Sequence, residues 1–260
     1  MKFAKKSLGQ NFLIDNNIIK KIISLSNVKN RNVIEIGPGY GALTSEILKQ
    51  KPKTFSLIEK DFKLFNDLKL SLKNKKSINI FNEDILKFKL EKILKTKTII
   101  FGNLPYNISS QILIKIIKYK LFDTKVEDMI LMFQKELGEK IICGYPSKHY
   151  GRLSIFSNYK LVVKNKFLVS PNCFSPKPKV TSMVIHFKPR KKFDVIKDLN
   201  NLEKITNILF SNKRKMINKN IKKLFNKKEL GNFPNLDLNC RPSEIEPNLY
   251  YQMVKIYENR

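Results

Sequence analysis

Cysteine and histidine are scarce in this chain of 260 residues, which contains three cysteines and two histidines. The cysteines are far apart and form no Cys-x-x-Cys pair, so a disulfide framework and a cysteine-based zinc site are excluded. Reduced thiols are typical of cytoplasmic proteins. His149 and His186 are isolated in the sequence, and we expect no bound metal. His186 alternates with Val184 and Phe187 in a strand-like run, which favours a structural role.

Long apolar runs are also absent. No segment approaches the roughly 18 uninterrupted apolar residues that a membrane-spanning helix needs. The first residues, Met1 to Leu8, lack the continuous apolar stretch of a signal peptide. We therefore expect a soluble, cytoplasmic protein with no membrane partner.

Acidic residues are few, with 22 against 51 basic residues and a formal net charge of +29. A charge of this size attracts polyanions and makes their binding weaken with salt. Because only six of the 51 basic residues are arginines and the chain is rich in Lys, Asn and Ile, part of the charge reflects a biased composition. After this discount, the balance still favours nucleic acid as the large partner.

Short apolar runs rich in β-branched residues alternate with helical patterns along the first two thirds of the chain. Strands are predicted to end at residues 36, 58, 81, 102 and 133, and a last strand is predicted over 181–187. This alternation is typical of an α/β fold with a doubly wound, mostly parallel sheet. The first strand, a glycine turn and a helix form the opening of a Rossmann-like βαβ unit.

The pattern changes near residue 190. Beyond it only helical spacing is found, and nine basic residues but no acidic one lie between Lys204 and Lys228. We therefore predict a Rossmann-like domain over residues 1–190 and a small, basic helical domain over residues 191–260. The charge of the second domain suits the docking of nucleic acid.

Glycines and acidic residues follow the first three strands. The first strand stops at a Gly-x-Gly-x-Gly turn with Gly37 and Gly39, where the backbone can approach a ligand closely. Glu59 ends the second strand, where a carboxylate can accept from ribose hydroxyls. Asp84 follows the third, where it can accept from an adenine amine. Because the spacing is not that of a dinucleotide or phosphate-binding loop, the set favours an adenosine without phosphates, such as S-adenosylmethionine.

The fourth strand leads into Asn103-Leu104-Pro105-Tyr106. Pro105 fixes its own φ and biases Leu104 away from helix, so the turn is stiff. Asn103 offers an acceptor and two donors, and Tyr106 offers a flat face for stacking. This turn is suited to holding a planar group that carries an amine.

Four motifs occur in an order that resembles a known family. They are Lys6-Ser-Leu-Gly-Gln-Asn-Phe-Leu13, Val33-Ile-Glu-Ile-Gly-Pro-Gly39, Asn103-Leu-Pro-Tyr-Asn-Ile-Ser109 and Phe174-Ser-Pro-Lys-Pro-Lys-Val-Thr-Ser182. As a set they resemble the small-subunit (16S) rRNA adenine N(6),N(6)-dimethyltransferases, the RsmA/KsgA family, over nearly the whole chain. The resemblance implies a class I S-adenosylmethionine-dependent methyltransferase that dimethylates two adjacent adenosines near the 3′ end of 16S rRNA in the small ribosomal subunit.

The resemblance also implies roles for individual residues. Residues expected to bind the cofactor are Asn11, Leu13, Gly37, Gly39, Glu59, Asp84 and Asn103. Residues expected to hold and position the target base are Asn103, Leu104, Pro105, Tyr106 and Phe174, the last facing the base with its ring. Tyr40 stands where smaller or aliphatic residues are more usual. The N-terminal segment and the basic helical domain are expected to contact the RNA.

Two other functions are compatible with parts of this pattern. A large-subunit (23S) rRNA adenine methyltransferase of the macrolide-resistance type shares the glycine turn and an Asn-x-Pro-aromatic motif. A non-catalytic nucleic-acid-binding protein that kept the fold is the second, although intact Glu59, Asp84 and Asn103 argue against loss of catalysis. A monomer is expected in each case.

Overall fold

A computed structural model describes residues 10–75, 77–191 and 196–260. Residues 6–9, the first half of the first motif, lie outside the described residues. The same is true of residues 192–195, near the start of the predicted helical domain.

The chain divides into two compact units. The first comprises Met1–Gly138 and Val162–Pro189, and the second comprises Glu139–Leu161 and Arg190–Arg260. One change between the units falls at Pro189 and Arg190, and the predicted domains 1–190 and 191–260 stay predictions. The segment 139–161, which the sequence-based division leaves in the first domain, groups with the C-terminal unit.

The first unit contains nine strands in two sheets, where the count refers to the described residues and the strands are numbered in chain order. They are β1 (Phe12–Leu13), β2 (Asn32–Ile36), β3 (Thr54–Glu59), β4 (Ile78–Asn82), β5 (Thr98–Asn103), β6 (Val126–Gln134), β7 (Leu161–Val169), β8 (Phe174–Ser175) and β9 (Ser182–Pro189). Leu161, the first residue of β7, belongs to the second unit.

The main sheet has seven strands in the order β4-β3-β2-β5-β6-β9-β7. Strands β2 to β6 run parallel, and β9 is antiparallel to β6. This confirms the predicted mostly parallel sheet of an α/β fold. The chain moves outward from β2 to β4 and then returns to place β5 on the other side of β2. Such a reversal of strand order creates the crevice where α/β sheets bind ligands.

Helices connect the strands and complete the second unit. In chain order they are α1 (Asn16–Ile23), α2 (Ala42–Lys49), α3 (Phe62–Ser71), α4 (Ser109–Ile117), α5 (Phe122–Lys125), α6 (Lys135–Ile142), α7 (Arg152–Lys160), α8 (Leu199–Phe210), α9 (Asn218–Ile221), α10 (Lys227–Leu230) and α11 (Pro247–Glu258). Among the described residues, none of these helices is long and apolar enough to cross a membrane.

Side-chain caps fix where the helices nearest the crevice begin. The carboxylate of Asp15 accepts from the backbone N–H groups of Asn17 and Ile18 and starts α1. Asp61 does the same for Lys63 at the start of α3. These bonds satisfy N–H groups that the first turn of a helix leaves without partners. Each capping aspartate therefore sets the position at which the chain leaves the loop.

The core of the first unit forms where the sheet meets its helices. Ile22 of α1 and Ile47 of α2 pack in one cluster with Phe55, Ile99 and Phe101 from the central strands. These side chains are almost fully buried, which is why the strand segments read as continuous apolar runs. Their packing holds the carboxyl ends of β2, β3 and β5 at one edge of the sheet.

The second unit is helical and contains buried tyrosines. The hydroxyls of Tyr150 and Tyr250 donate to the carbonyl oxygens of Ile245 and Pro242, at 3.0 and 2.7 Å. Tyr251 donates to the carbonyl oxygen of Ile155 at 2.8 Å. Buried phenols need such partners, and these bonds fasten α7 and α11 to neighbouring backbone.

Candidate active site

A cavity of about 460 Å³ opens at the carboxyl edge of β2, β3 and β5. Its size is within the range of pockets that bind small molecules. Every predicted site residue except Phe174 lines it, namely Asn11, Leu13, Gly37, Gly39, Glu59, Asp84, Asn103, Leu104, Pro105 and Tyr106. Five segments separated in the sequence thus meet at one place.

The glycine turn after β2 is folded in a way that only glycine permits easily. Gly37 and Gly39 have positive φ angles of 67° and 59°. The backbone N–H of Gly37 donates to the carbonyl oxygen of Ile58 at 3.0 Å, which ties the turn to β3. A Cβ placed on Gly39 would lie 2.9 Å from Cδ1 of Phe12. A side chain here would therefore collide with the N-terminal segment and narrow the cavity.

Glu59 ends β3 and is 6% exposed. Its Oε2 accepts from the backbone N–H of Gly39 at 3.1 Å, and its Oε1 accepts from that of Asp61 at 2.8 Å. Burial raises the pKa of Glu59, and these two backbone hydrogen bonds only partly offset that rise. A carboxylate has about four acceptor sites, so Glu59 keeps acceptor capacity for a ligand beyond its backbone hydrogen bonds. The arrangement suits a pair of neighbouring hydroxyls.

Asp84 follows β4 and is more exposed than Glu59. Its Oδ1 accepts from the backbone N–H of Leu86 at 2.9 Å, and its Oδ2 lies 2.9 Å from Nζ of Lys60. Burial alone would raise the pKa of Asp84, but the hydrogen bonds from Lys60 and Leu86 outweigh it and lower the pKa. Asp84 is therefore an ionised acceptor at the rim of the cavity.

Asn103 is the last residue of β5, and its side chain has a fixed orientation. Its Nδ2 donates to the backbone carbonyl oxygen of Asn11 at 2.9 Å. Because a carbonyl oxygen can only accept, the amide nitrogen must face Asn11, and the Oδ1 of Asn103 points the other way as an acceptor. A residue of the N-terminal segment thus orients the side chain that the sequence predicts to be central.

The turn after Asn103 is braced from two directions. The backbone N–H of Ile108 donates to the carbonyl oxygen of Pro105 at 3.2 Å and closes the turn before α4. The hydroxyl of Tyr106 is hydrogen-bonded to that of Ser182, the first residue of β9. Burial raises the pKa of Tyr106, so its phenol is neutral at pH 7. The third and fourth motifs of the sequence are therefore joined at this hydroxyl.

Phe174 lies elsewhere. It is 3% exposed, its Cα is paired with that of Leu13 between β1 and β8, and its ring belongs to the apolar core. Among the described residues that line the cavity, Phe174 is not included. Its neighbour across the short sheet, Leu13, reaches both the core and the cavity.

Several residues that line or support the cavity were not predicted from the sequence. Glu35 on β2 is 1% exposed and accepts from the hydroxyl of Thr44 at 2.7 Å, and burial raises its pKa to about 8. Lys60 forms an ion pair with Asp84, and Ser182 is hydrogen-bonded to Tyr106. Ser182 belongs to the fourth motif and Lys60 follows Glu59 in the sequence. Sequence spacing does not indicate which distant side chain either of them contacts.

Comparisons with known proteins agree with this geometry. Residues 1–259 match the ribosomal RNA adenine dimethylase family. The chain belongs to this family. It is 47% identical over 259 residues to ribosomal RNA small subunit methyltransferase A of Pelagibacter ubique (strain HTCC1062), covering 98% of this chain and 97% of that protein.

Two solved structures are similar to this chain in fold. A dimethyladenosine transferase from Plasmodium falciparum superposes with a TM-score of 0.80 at 23% identity, covering 95% of this chain and 98% of that one. The 23S rRNA methyltransferase ErmE superposes with a TM-score of 0.66 at 20% identity, covering 95% of this chain and 100% of that one. The predicted family and fold class are confirmed.

As a member of the ribosomal RNA adenine dimethylase family, the chain is an rRNA methyltransferase, and its cofactor is S-adenosylmethionine. The residues of the cavity fit this cofactor. Glu59 and Asp84 are acceptors, as a ribose and an adenine amine require, and a Cβ added to Gly37 would meet only the carbonyl oxygen of Asn103, at 3.7 Å. The cofactor expected from the sequence is confirmed, whereas the individual residue roles stay predictions.

Proposed function

We propose that this rRNA methyltransferase dimethylates the N(6) amines of two adjacent adenosines near the 3′ end of 16S rRNA in the small ribosomal subunit. The relative named ribosomal RNA small subunit methyltransferase A supports this substrate. The observation that carries the proposal is the oriented amide of Asn103, which lines the same cavity as Glu59 and Asp84.

The cofactor is held by the glycine-turn side of the cavity. Glu59 accepts from the ribose hydroxyls, and Asp84 accepts from the adenine amine. When bound, S-adenosylmethionine supplies a methyl group that its sulfonium already activates. The work left to the chain is therefore to bind and orient the two reactants, which can supply much of a rate enhancement.

Asn103 and Leu104 orient the target amine. The exocyclic nitrogen of adenine is a poor nucleophile because its lone pair is delocalised into the ring. Oδ1 of Asn103 and the carbonyl oxygen of Leu104 accept its two hydrogens, which favours a pyramidal nitrogen with the lone pair free to react. Because the bond to Asn11 already fixes the amide of Asn103, no reorientation is needed when the base arrives. Pro105 keeps the turn stiff.

Tyr106 holds the plane of the target base. Its hydroxyl is anchored on Ser182, which restricts the ring that stacks on the base. Stacking on an aromatic side chain contributes about 1–3 kcal/mol per base. Phe174 is proposed to supply a second face, but its ring would first have to leave the core beside Leu13. The target base must also leave its own stack, which single-stranded RNA allows most easily.

The reaction needs no strong general base in this site. No histidine is found among the described residues that line the cavity. The nitrogen loses its proton after it has gained a methyl group and a positive charge, when it is acidic enough for water to accept the proton. Positioning by Asn103 and Leu104 is thus the chief contribution of the chain.

The basic residues of the C-terminal unit are proposed to dock the RNA. Lys213, Arg214 and Lys215 are consecutive and exposed. Contacts from such residues to phosphates position the RNA without reading its sequence. We also propose that the protein acts in the cytoplasm, where the small ribosomal subunit is found. We propose that it is a monomer. Light scattering of the purified protein measures its assembly state.

Transfer of labelled methyl groups to purified subunits tests the proposed function. We expect two methyl groups on each of two adjacent adenosines in small subunits that lack the modification, and none on large subunits. Asn103→Ala is expected to lower kcat by roughly 10²-fold or more while RNA binding is retained. Asn165→Ala, at an exposed position of β7, is the matched control and is expected to retain full activity.

Three results would contradict parts of the proposal. Labelling of large subunits would favour the macrolide-resistance type. Labelling of neither subunit by a protein that binds RNA would favour the non-catalytic alternative. Unchanged turnover in Asn103→Ala would exclude the role given to that amide.

A further inference from the structure

The N-terminal segment, defined as residues 10–14, crosses the cavity and is attached to several elements. Nε2 of Gln10 donates to Oδ2 of Asp61 at 3.4 Å, and the carbonyl oxygen of Asn11 accepts from Asn103. Within the segment, the two residues of β1 pair with β8, and the backbone N–H of Ile14 donates to the carbonyl oxygen of Cys173 at 2.8 Å. The segment thus forms one wall of the cavity and is attached along its length.

At the middle of this segment, the ring of Phe12 lies on the glycine turn. The ring is so close that a Cβ on Gly39 would lie 2.9 Å from its Cδ1. The ring centroid of Phe12 lies 4.5 Å from that of Tyr40, with the planes at 63°, an edge-to-face contact. Both side chains line the cavity. An aromatic pair of this geometry adds stabilisation beyond its buried area.

The direction of the Tyr40 side chain is set by the backbone on either side. Gly39 and Gly41 have positive φ angles of 59° and 80°, and Gly41 is the N-cap residue of α2. Tyr40 therefore stands between two glycines in left-handed conformation, next to the start of α2. Loss of its contact with Phe12 would remove the side-chain attachment of the segment to the turn, while β1 stays paired with β8.

We infer that Tyr40 is a positioning residue that fastens the N-terminal segment over the glycine turn through Phe12 and thereby slows the release of S-adenosylmethionine. The inference rests on the proposed placement of the cofactor in this cavity. Residues 11 and 13 line the cavity on either side of Phe12, so a loosened segment opens the wall that retains the ligand.

The energy of one aromatic contact sets the size of the effect. Losing the contact energy of one aromatic pair corresponds to about a 3- to 10-fold change in an equilibrium constant. Tyr40→Leu is therefore expected to raise the Kd of S-adenosylhomocysteine, and the KM for S-adenosylmethionine, by about 3- to 10-fold. At saturating cofactor the segment is docked again, so kcat is expected to change by less than about twofold. Tyr40→Phe keeps the ring and is expected to bind as the unmodified chain does.

The full-length chain is used in calorimetric titrations with S-adenosylhomocysteine, with stopped-flow measurement of its release. Tyr40→Leu, Phe12→Leu and the double variant form a cycle, and Phe62→Leu, 66% exposed on α3, is the matched control. We expect the double variant to be no weaker than the single variants, because either substitution removes the same contact. Faster release with unchanged thermal stability separates positioning of the ligand from a general role in folding.

Several outcomes overturn the inference. These are an unchanged Kd in Tyr40→Leu, fully additive losses in the double variant, or a Tyr40→Phe variant as weak as Tyr40→Leu. If Tyr40→Leu does not fold, Phe12→Leu and Tyr40→Phe give the same decision. Glu59→Gln separates the two proposals. If this variant binds S-adenosylhomocysteine normally, the cofactor lies elsewhere and the proposed site is wrong. If only the Tyr40 variants keep an unchanged Kd, this inference alone is overturned.

Discussion

Buried carboxylates occur at two edges of the main sheet, and their surroundings are opposite. Glu35 and Glu59 lie at the carboxyl edge of β2 and β3, beside the cavity. Asp128 is paired with Ile99 near the start of β5 and β6, at the other edge. All three carboxylates are largely buried. They differ in what their oxygens contact and in the direction in which their pKa moves.

Asp128 is fully compensated by neighbouring side chains. It accepts from the hydroxyl of Ser26 at 2.8 Å and is hydrogen-bonded to Nε2 of His186, and Nζ of Lys188 lies 3.5 Å away. Burial alone would raise the pKa of Asp128, but these hydrogen bonds and charges outweigh it and lower the pKa. These contacts connect Ser26, in the loop after α1, with Asp128 on β6 and His186 on β9. Its carboxylate is a structural anion.

Among the described residues, no ion pair involves the carboxylates of Glu35 and Glu59 at the cavity. Glu59 accepts from two backbone N–H groups, and Glu35 accepts from the hydroxyl of Thr44. Burial raises the pKa of both side chains, for Glu35 to about 8. Buried acids with raised pKa values cluster at functional sites, where their burial is part of the geometry of the site. The comparison separates a binding site from a structural cluster within one sheet.

Glu59→Gln is expected to weaken ligand binding strongly. The substitution keeps the shape of the side chain but removes its charge and one acceptor. Losing a hydrogen bond to a charged group corresponds to about 2–3 kcal/mol, so we expect the Kd of S-adenosylhomocysteine to rise roughly 30- to 150-fold in calorimetry. Asp128→Asn is the comparison and is expected to leave this Kd within about twofold. A similar loss in both variants would erase the distinction between the two edges.

The converse experiment measures stability. Asp128→Asn leaves His186 and Lys188 without their anion and is expected to lower the free energy of unfolding by about 3 kcal/mol at pH 7. Asp67→Asn, at an exposed position of α3, serves as the control and is expected to change it by less than about 0.5 kcal/mol. Urea unfolding followed by circular dichroism gives both values. A loss as small as that of the control would show that the cluster carries little of the stability.

The free energy of unfolding is expected to depend on pH in opposite directions for the carboxylates at the two edges. The pKa of Glu35 is raised from 4.5 to about 8 on folding, so its unfavourable ionisation removes stability as pH rises between these values. The pKa of Asp128 is lowered from 3.8, so its stabilisation is present above that value and is lost as pH falls through the lower folded pKa. We expect Glu35→Gln to flatten the decline between pH 5 and 8, measured by urea unfolding.

Glu35→Gln is also the smallest change in stability expected at pH 7. Because the pKa of Glu35 is about 8, its protonated form predominates there and a neutral amide resembles it. The free energy of unfolding is expected to change by about 1 kcal/mol or less. An unaltered slope of stability against pH in this variant would mean that other groups titrate in the window.

The sequence predicted the cavity well because strand ends carry local signals. Gly37, Glu59, Asp84 and Asn103 each follow an apolar run, and parallel strands bring their carboxyl ends to one edge. The strand order that places β5 beside β2 then decides which of these ends are neighbours. That much follows from local pattern and from the general behaviour of α/β sheets.

Contacts between segments far apart in the sequence could not be predicted from local sequence patterns. Strand β7 was not predicted, because its exposed centre Lys164-Asn165-Lys166 gives no alternation of apolar and polar residues. The pairing of His186 with Asp128 and of Phe12 with Tyr40 depends on packing between elements far apart in the sequence. The same holds for the grouping of residues 139–161 with the C-terminal unit. A structural place for His186 was predicted, but its partner was not.

The hydrogen bond from Asn103 to Asn11 has a consequence for how activity is acquired during folding. Its two residues are 92 positions apart, and the segment that carries Asn11 is synthesised long before β5. Forming a contact of such sequence separation requires the closure of a long loop, which is entropically costly. We therefore expect the amide of Asn103 to be oriented only once the N-terminal segment has reached its place on the sheet, so that a partly folded chain contains the motif but is not yet active.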